Sequence, residues 1–148
     1  MRTKDILDLM PYTKPFLFVD KLLRVDDSGA EGIFTFDAGL DFFKGHFKGN
    51  PITPGVLLTE CCAQIGLVCL GIHLLKDQQE TTGVKIGMSS SQMDFLKPVL
   101  PNEKVRVVSK KIYFRFQKLK CEVRMYNSKE ELVCKGTLAG MLKSDSNE

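Results

Sequence analysis

From Val56 to Leu75 the chain is almost continuously apolar, interrupted chiefly by Glu60 and Gln64 and containing two glycines. A run of this length is about what crosses a bilayer as a helix. A helix apolar on all sides either spans a membrane or sits at the centre of a soluble domain. Strand-like segments precede and follow this one, so burial inside the protein, with no membrane partner, is the expectation. A central helix of that kind has to be covered on most sides, and a curved sheet wrapped around it does so.

The flanking sequence supplies the sheet. Residues 3–10 read as a short amphipathic helix with Thr3 or Asp5 as N-cap and Pro11 as its end. Phe16 to Val25 reads as a first strand, and the turn Asp26-Asp27-Ser28-Gly29 leads into Glu31–Asp37, which alternates and completes a hairpin. Leu40 to Gly55 is loop, the helix is expected from Pro54 to Lys76, and a polar exit follows at Asp77 to Thr82. Further strand-like stretches come next: Val84–Phe95, Lys104–Gln117, and the pair Lys120–Tyr126 with Glu131–Leu142 across Asn127-Ser128-Lys129. A hairpin, one long helix and then a meander give an α+β fold with an antiparallel sheet. We read residues 1–148 as one domain, with 144–148 as a polar, disordered tail.

Composition narrows the class. Hydrophobic residues make up 43% and charged residues 26% of the 148, as in an ordinary globular protein. The net charge of +3 is too mild to argue for nucleic acid as a partner, though it suits a weakly basic face for an acidic one. Five cysteines without a C-x-x-C spacing read as reduced, buried residues of a cytoplasmic protein. Two histidines are too few to suggest a zinc site, and neither metal nor other cofactor is expected.

The chemistry-bearing residues gather where the loop enters the helix. His46 has a side chain that titrates near neutrality and suits a general base; a backbone hydrogen bond in a glycine-rich turn is the plainer role. Glu60 has Leu57, Leu58, Cys61, Ala63 and Leu67 around it. A carboxylate in such a setting is costly to ionise, although the nearby helix N-terminus would favour it. Gln64, four residues on, shares its face and would hold it in place. Pro54 suits the first helical position, and glycine at 55 leaves the backbone open, so the amides of Gly55 and Val56 are candidate donors to a carbonyl oxygen gaining charge. Together these groups suit removal of a proton next to a carbonyl.

The run from Phe42 through Gly45-His46-Phe47-Lys48-Gly49-Asn50-Pro51-Ile52-Thr53-Pro54-Gly55-Val56-Leu57, then Glu60 and Ala63-Gln64, closely resembles the signature of FabZ-type 3-hydroxyacyl-acyl-carrier-protein dehydratases. Pro15-Phe16-Leu17-Phe18-Val19-Asp20-Lys21 resembles that family's first-strand motif, and Phe95 to Glu103 its loop before the long strand. The resemblance implies the hot-dog fold, a long helix wrapped by an antiparallel sheet. It implies loss of water from a 3-hydroxyacyl thioester on acyl carrier protein, in fatty-acid or related polyketide and polyene lipid synthesis. His46 would take the α-proton, Glu60 would assist departure of the hydroxyl, Gly55 would polarise the thioester carbonyl, and an apolar tunnel beside the helix would take the acyl chain. It further implies a homodimer whose His46 and Glu60 meet across the interface, with a trimer of dimers as a larger assembly.

The sister type that also isomerises the double bond has aspartate at position 60 and a nearby tryptophan, whereas this chain has glutamate and no tryptophan. Lys48, Thr53, Cys61-Cys62 and Tyr12-Thr13 depart from the family pattern, and Thr53 and Cys62 are expected at the pocket mouth. An acyl thioesterase of the same fold and a catalytically silent acyl-binding subunit are the alternatives. Lys44 and Lys48 beside His46, with Lys110, Lys111, Arg115, Lys118 and Lys120, form the expected basic surface for the acidic carrier protein.

Overall fold

The computed structural model describes residues 2–76 and 85–143. The expected polar exit at 77–82, Val84 and the tail at 144–148 lie outside them. Six strands form one antiparallel sheet: β1 (Lys21–Asp26), β2 (Gly29–Phe36), β3 (Lys85–Phe95), β4 (Glu103–Arg115), β5 (Lys118–Tyr126) and β6 (Leu132–Lys143). The long helix, α2, runs Gly55–Leu74 against the sheet and is largely buried; a short helix, α1 (Thr3–Asp8), precedes β1. By length and composition α2 could cross a membrane, but 78% of its apolar window is buried inside this protein.

Alternation places the core. Phe34 and Phe36 of β2, Val105 and Val107 of β4, and Leu119, Cys121, Val123 and Met125 of β5 all point inward. Against them stand Leu58, Cys61, Ile65, Leu67, Leu70 and Ile72 of α2, each no more than 3% exposed. Burying this much apolar surface is the dominant favourable contribution to folding. All five cysteines are buried free thiols, as expected.

The α2 helix is not uniform, for Gln64–Val68 widens into a π turn. Gly66 lies in that turn, where a Cβ would stand 2.8 Å from Ser109 Cβ and 2.9 Å from Val123 Cγ1. Glycine therefore lets the helix lie directly on β4 and β5.

Four local expectations are corrected. Residues 16–20 are not strand: β1 begins at Lys21, because the side chain of Gln64 occupies the backbone hydrogen bonds of Phe16 and Phe18. The N-cap of α1 is Arg2, whose N–H donates to the Asp5 carboxylate inside the first turn. Pro54 is the N-cap of α2 with extended backbone, and Gly55 is the first helical residue. The fourth concerns β3, which does not open the meander beside β4. It pairs with β6 at the far edge, in the order β1-β2-β4-β5-β6-β3.

Candidate active site

The His46 loop is held at both ends. On its N-terminal side a short 3-10 turn, Asp41–Lys44, buries Phe43. A chain of ring contacts from Phe18 through Phe34, Phe36 and Phe42 to Phe43 carries that anchorage into the core. On its C-terminal side the Thr53 N–H donates to the Val99 carbonyl at 2.9 Å. Within the loop, Ile52 N–H donates to the His46 carbonyl at 2.8 Å, and His46 Nδ1 lies 2.9 Å from the Ile52 carbonyl. A proton on Nδ1 donates to that oxygen and leaves Nε2 with its lone pair. The bond to backbone, the plainer role for His46, is therefore present and also orients the ring.

His46 lines a cleft of about 440 Å³ together with Ile52, Thr53, Gly55, Phe95 and Lys97. Gly55 and Val56 precede the first intrahelical donors, Leu57 and Leu58, which both bond to the Pro54 carbonyl. Their amides lack helix partners and lie at the positive end of the helix dipole. The Phe95 ring covers Gly55 so closely that a Cβ there would stand 3.2 Å from the ring. An acceptor oxygen reaching Gly55 N–H would share the cleft with the imidazole and the Phe95 ring, and beside such apolar surface a hydrogen bond is worth more than in water.

Glu60 does not line this cleft. It is half-buried on α2, and burial pushes its carboxyl above the usual range while the hydrogen bond from Gln64 partly offsets the effect. Gln64 is fully buried: its Nε2 donates to Glu60 Oε2 at 3.1 Å and to the Phe16 carbonyl at 3.0 Å, and its Oε1 accepts from Phe18 N–H at 2.7 Å. The expected Glu60–Gln64 pairing is therefore present. Tyr12 lies within reach of the charge on Glu60, its phenol pushed up first by burial and then by that carboxylate. Tyr12 counted only as a departure from the family pattern in sequence, since nothing in its spacing reveals the approach to Glu60.

Of the two departures expected at the pocket mouth, Thr53 lines the cleft. Cys62 does not: it is fully buried and faces the Cys134 thiol of β6. The basic residues fall into two groups. Lys44 and Lys48 are exposed around the His46 loop, whereas the others lie along the β4–β5 hairpin. Its strand β4 has thirteen residues, about 40 Å along the chain.

A family model described as the FabA-like domain matches residues 10–138. The chain belongs to the FabA-like family. It is 36% identical to the 3-hydroxyacyl-acyl-carrier-protein dehydratase FabZ of Alkaliphilus metalliredigens, over 90% of this chain and 88% of that protein. With the FabZ of Caldicellulosiruptor saccharolyticus it shares 30% identity over 94% of this chain and 96% of that one. Among solved structures, the ApeI:P dehydratase heterocomplex of Xenorhabdus doucetiae superposes with a TM-score of 0.79 at 11% identity, covering 95% of this chain and 92% of that chain. A thioesterase from Haemophilus influenzae superposes at 0.62 with 14% identity, over 84% and 78%. At such identities these structures speak for the hot-dog fold alone, and the observed sheet and central helix are that fold.

Proposed function

We propose that this FabA-like protein is a dehydratase that converts a 3-hydroxyacyl thioester on acyl carrier protein into the trans-2-enoyl thioester. The observation that carries the mechanism is the shared cleft: an imidazole oriented by Ile52 faces the same space as the free Gly55 amide. His46 Nε2 takes the proton from C2, and the thioester oxygen gains charge against Gly55 N–H, with Val56 N–H and the Pro54 turn shaping that end. The C2 electron pair forms the C2=C3 bond as the C3–O bond breaks. Glu60 gives its proton to the departing hydroxyl, so water leaves, and His46 then returns a proton to restore the carboxyl. A carboxyl held above its usual range by burial is suited to that donor role. Gln64 keeps it in position.

Since Glu60 lies outside the cleft of its own chain, the working unit in this reading is a homodimer, His46 of one copy acting with Glu60 of the other. The rest of the reading is that residues 1–148 act as one cytoplasmic domain and that the exposed lysines engage the acidic carrier protein. The relatives' dehydratase names and the presence of His46 favour this over thioester hydrolysis.

Turnover of a carrier-bound 3-hydroxyacyl thioester is the test, measured for wild type, His46→Ala and Glu60→Gln. Each substitution should lower kcat at least a hundredfold with the fold intact. Unchanged turnover in both would sink the mechanism. Release of free thiol would point to a thioesterase, and tight acyl binding without turnover to a silent subunit.

A further inference from the structure

Two buried side-chain polar atoms among the described residues have no hydrogen-bond partner, Thr53 Oγ1 and His73 Nδ1. His73 stands near the C-terminal end of α2, where its other ring nitrogen meets Asp27. Thr53 stands in the wall of the His46–Gly55 cleft, two residues before Gly55, and is 5% exposed. A buried hydroxyl left unpaired is destabilising, and valine would fill the same volume without that cost. The backbone here is fixed by the bond from Thr53 N–H to the Val99 carbonyl, so the hydroxyl has only rotation about χ1 available. Since Thr53 lines the cleft while its Oγ1 is buried, a move between staggered positions is the step that would bring the O–H to the cleft.

We propose that Thr53 is a catalytic residue whose hydroxyl donates a second hydrogen bond to the substrate's thioester carbonyl oxygen, beside the bond from Gly55 N–H. This rests on the dehydratase reading above. No bond is made or broken at Thr53. Its hydrogen bond strengthens as the C2 proton leaves and charge moves onto the carbonyl oxygen. A donor that acts where charge develops changes kcat more than KM. The unpaired hydroxyl of the free protein is thus a donor held in reserve for substrate.

The test uses the full chain in its native assembly with Thr53→Val and Thr53→Ser. Thr53→Val should unfold at higher denaturant concentration than wild type, yet lose about a hundredfold in kcat with KM little changed. Thr53→Ser should restore turnover to within a few-fold. The carbonyl stretch of a bound saturated acyl-pantetheine thioester, labelled with carbon-13 at the carbonyl, should lie at lower frequency in wild type and Thr53→Ser than in Thr53→Val. A Thr53→Val protein with wild-type kcat overturns the proposal, as does one that is less stable or fails to fold, since the hydroxyl would then be serving the structure. If wild type shows no turnover at all, the dehydratase reading falls. The infrared band then decides the Thr53 donor by itself, an unshifted band counting against it.

Discussion

At the scale of single residues, Gln64 connects more of the structure than its position in an apolar helix suggests. Its amide satisfies Phe18 N–H and the Phe16 carbonyl while donating to Glu60. Replacement by leucine keeps the apolar character of the helix but leaves those backbone groups without partners. Gln64→Leu should cost about 2 kcal/mol, read as a lower urea midpoint, because the buried Phe18 N–H and the part-buried Phe16 carbonyl lose their partner. Glu60 gives a prediction with a definite sign in pH. Its folded pKa is raised, chiefly by burial, so the folded protein favours the protonated form more than the unfolded chain does. The stability tied to this carboxyl is therefore fully present below the ordinary glutamate range and is lost as pH rises through the raised folded value. Glu60→Gln should match wild type at low pH and become the more stable of the two as pH rises toward neutrality. Urea titrations across that range check it, and a gap that opened in the other direction would refute burial as the cause. What was legible in sequence is the placement that follows from local spacing: His46 in its loop, Gly55 at the helix start, and Glu60 bonded to Gln64 one turn on. Tyr12 and Phe95 reach the site through tertiary approach, which no local spacing encodes.

At the scale of elements, the apolar run from 56 to 75 and the strand alternation around it were sufficient for a central helix wrapped by an antiparallel sheet, and the resemblance to the dehydratases supplied the hot-dog fold. The failures have a common physical origin. Residues 16–20 have the composition of a strand, but the Gln64 side chain takes the backbone bonds of Phe16 and Phe18, and only at Asp20, whose N–H donates to the Ile33 carbonyl, does the chain reach β2. The position of β3 beside β6 depends on which edge remains free once β2 has paired with β4, and β3's own residues carry little trace of that. The π turn in α2 is likewise set by contact, where Gly66 meets Ser109 and Val123. Gly66→Ala should accordingly destabilise, although alanine is the better helix former. The added methyl would lie within 3 Å of Ser109 and Val123, whose side chains are packed under the sheet. Overpacking of this kind costs about 1–3 kcal/mol, visible in thermal or urea unfolding. Gain of stability from that substitution would mean that α2 can lift from the sheet without loss.

At the scale of the whole molecule, the separation of Glu60 from the His46 cleft within one chain has a consequence that mixing experiments can read. A two-fold dimer built on the proposed mechanism has two sites, each taking His46 from one copy and Glu60 from the other. Dimers of His46→Ala alone lack the base in both sites, and dimers of Glu60→Gln alone lack the acid in both. A mixed dimer differs: its Glu60→Gln chain contributes an intact His46, and its His46→Ala chain an intact Glu60. One site is then complete while the other has lost both groups. Random assembly from equal amounts makes half the dimers mixed, each with one of its two sites complete, so about a quarter of wild-type activity should return. Co-expression with two different affinity tags isolates the mixed species, which should reach about half. If base and acid belonged to the same chain, every chain in every combination would be defective and no activity would return. The same argument predicts that a chain held monomeric by substitutions at the interface is folded but inactive, so loss of activity on dissociation and its recovery on mixing test one geometry from opposite directions.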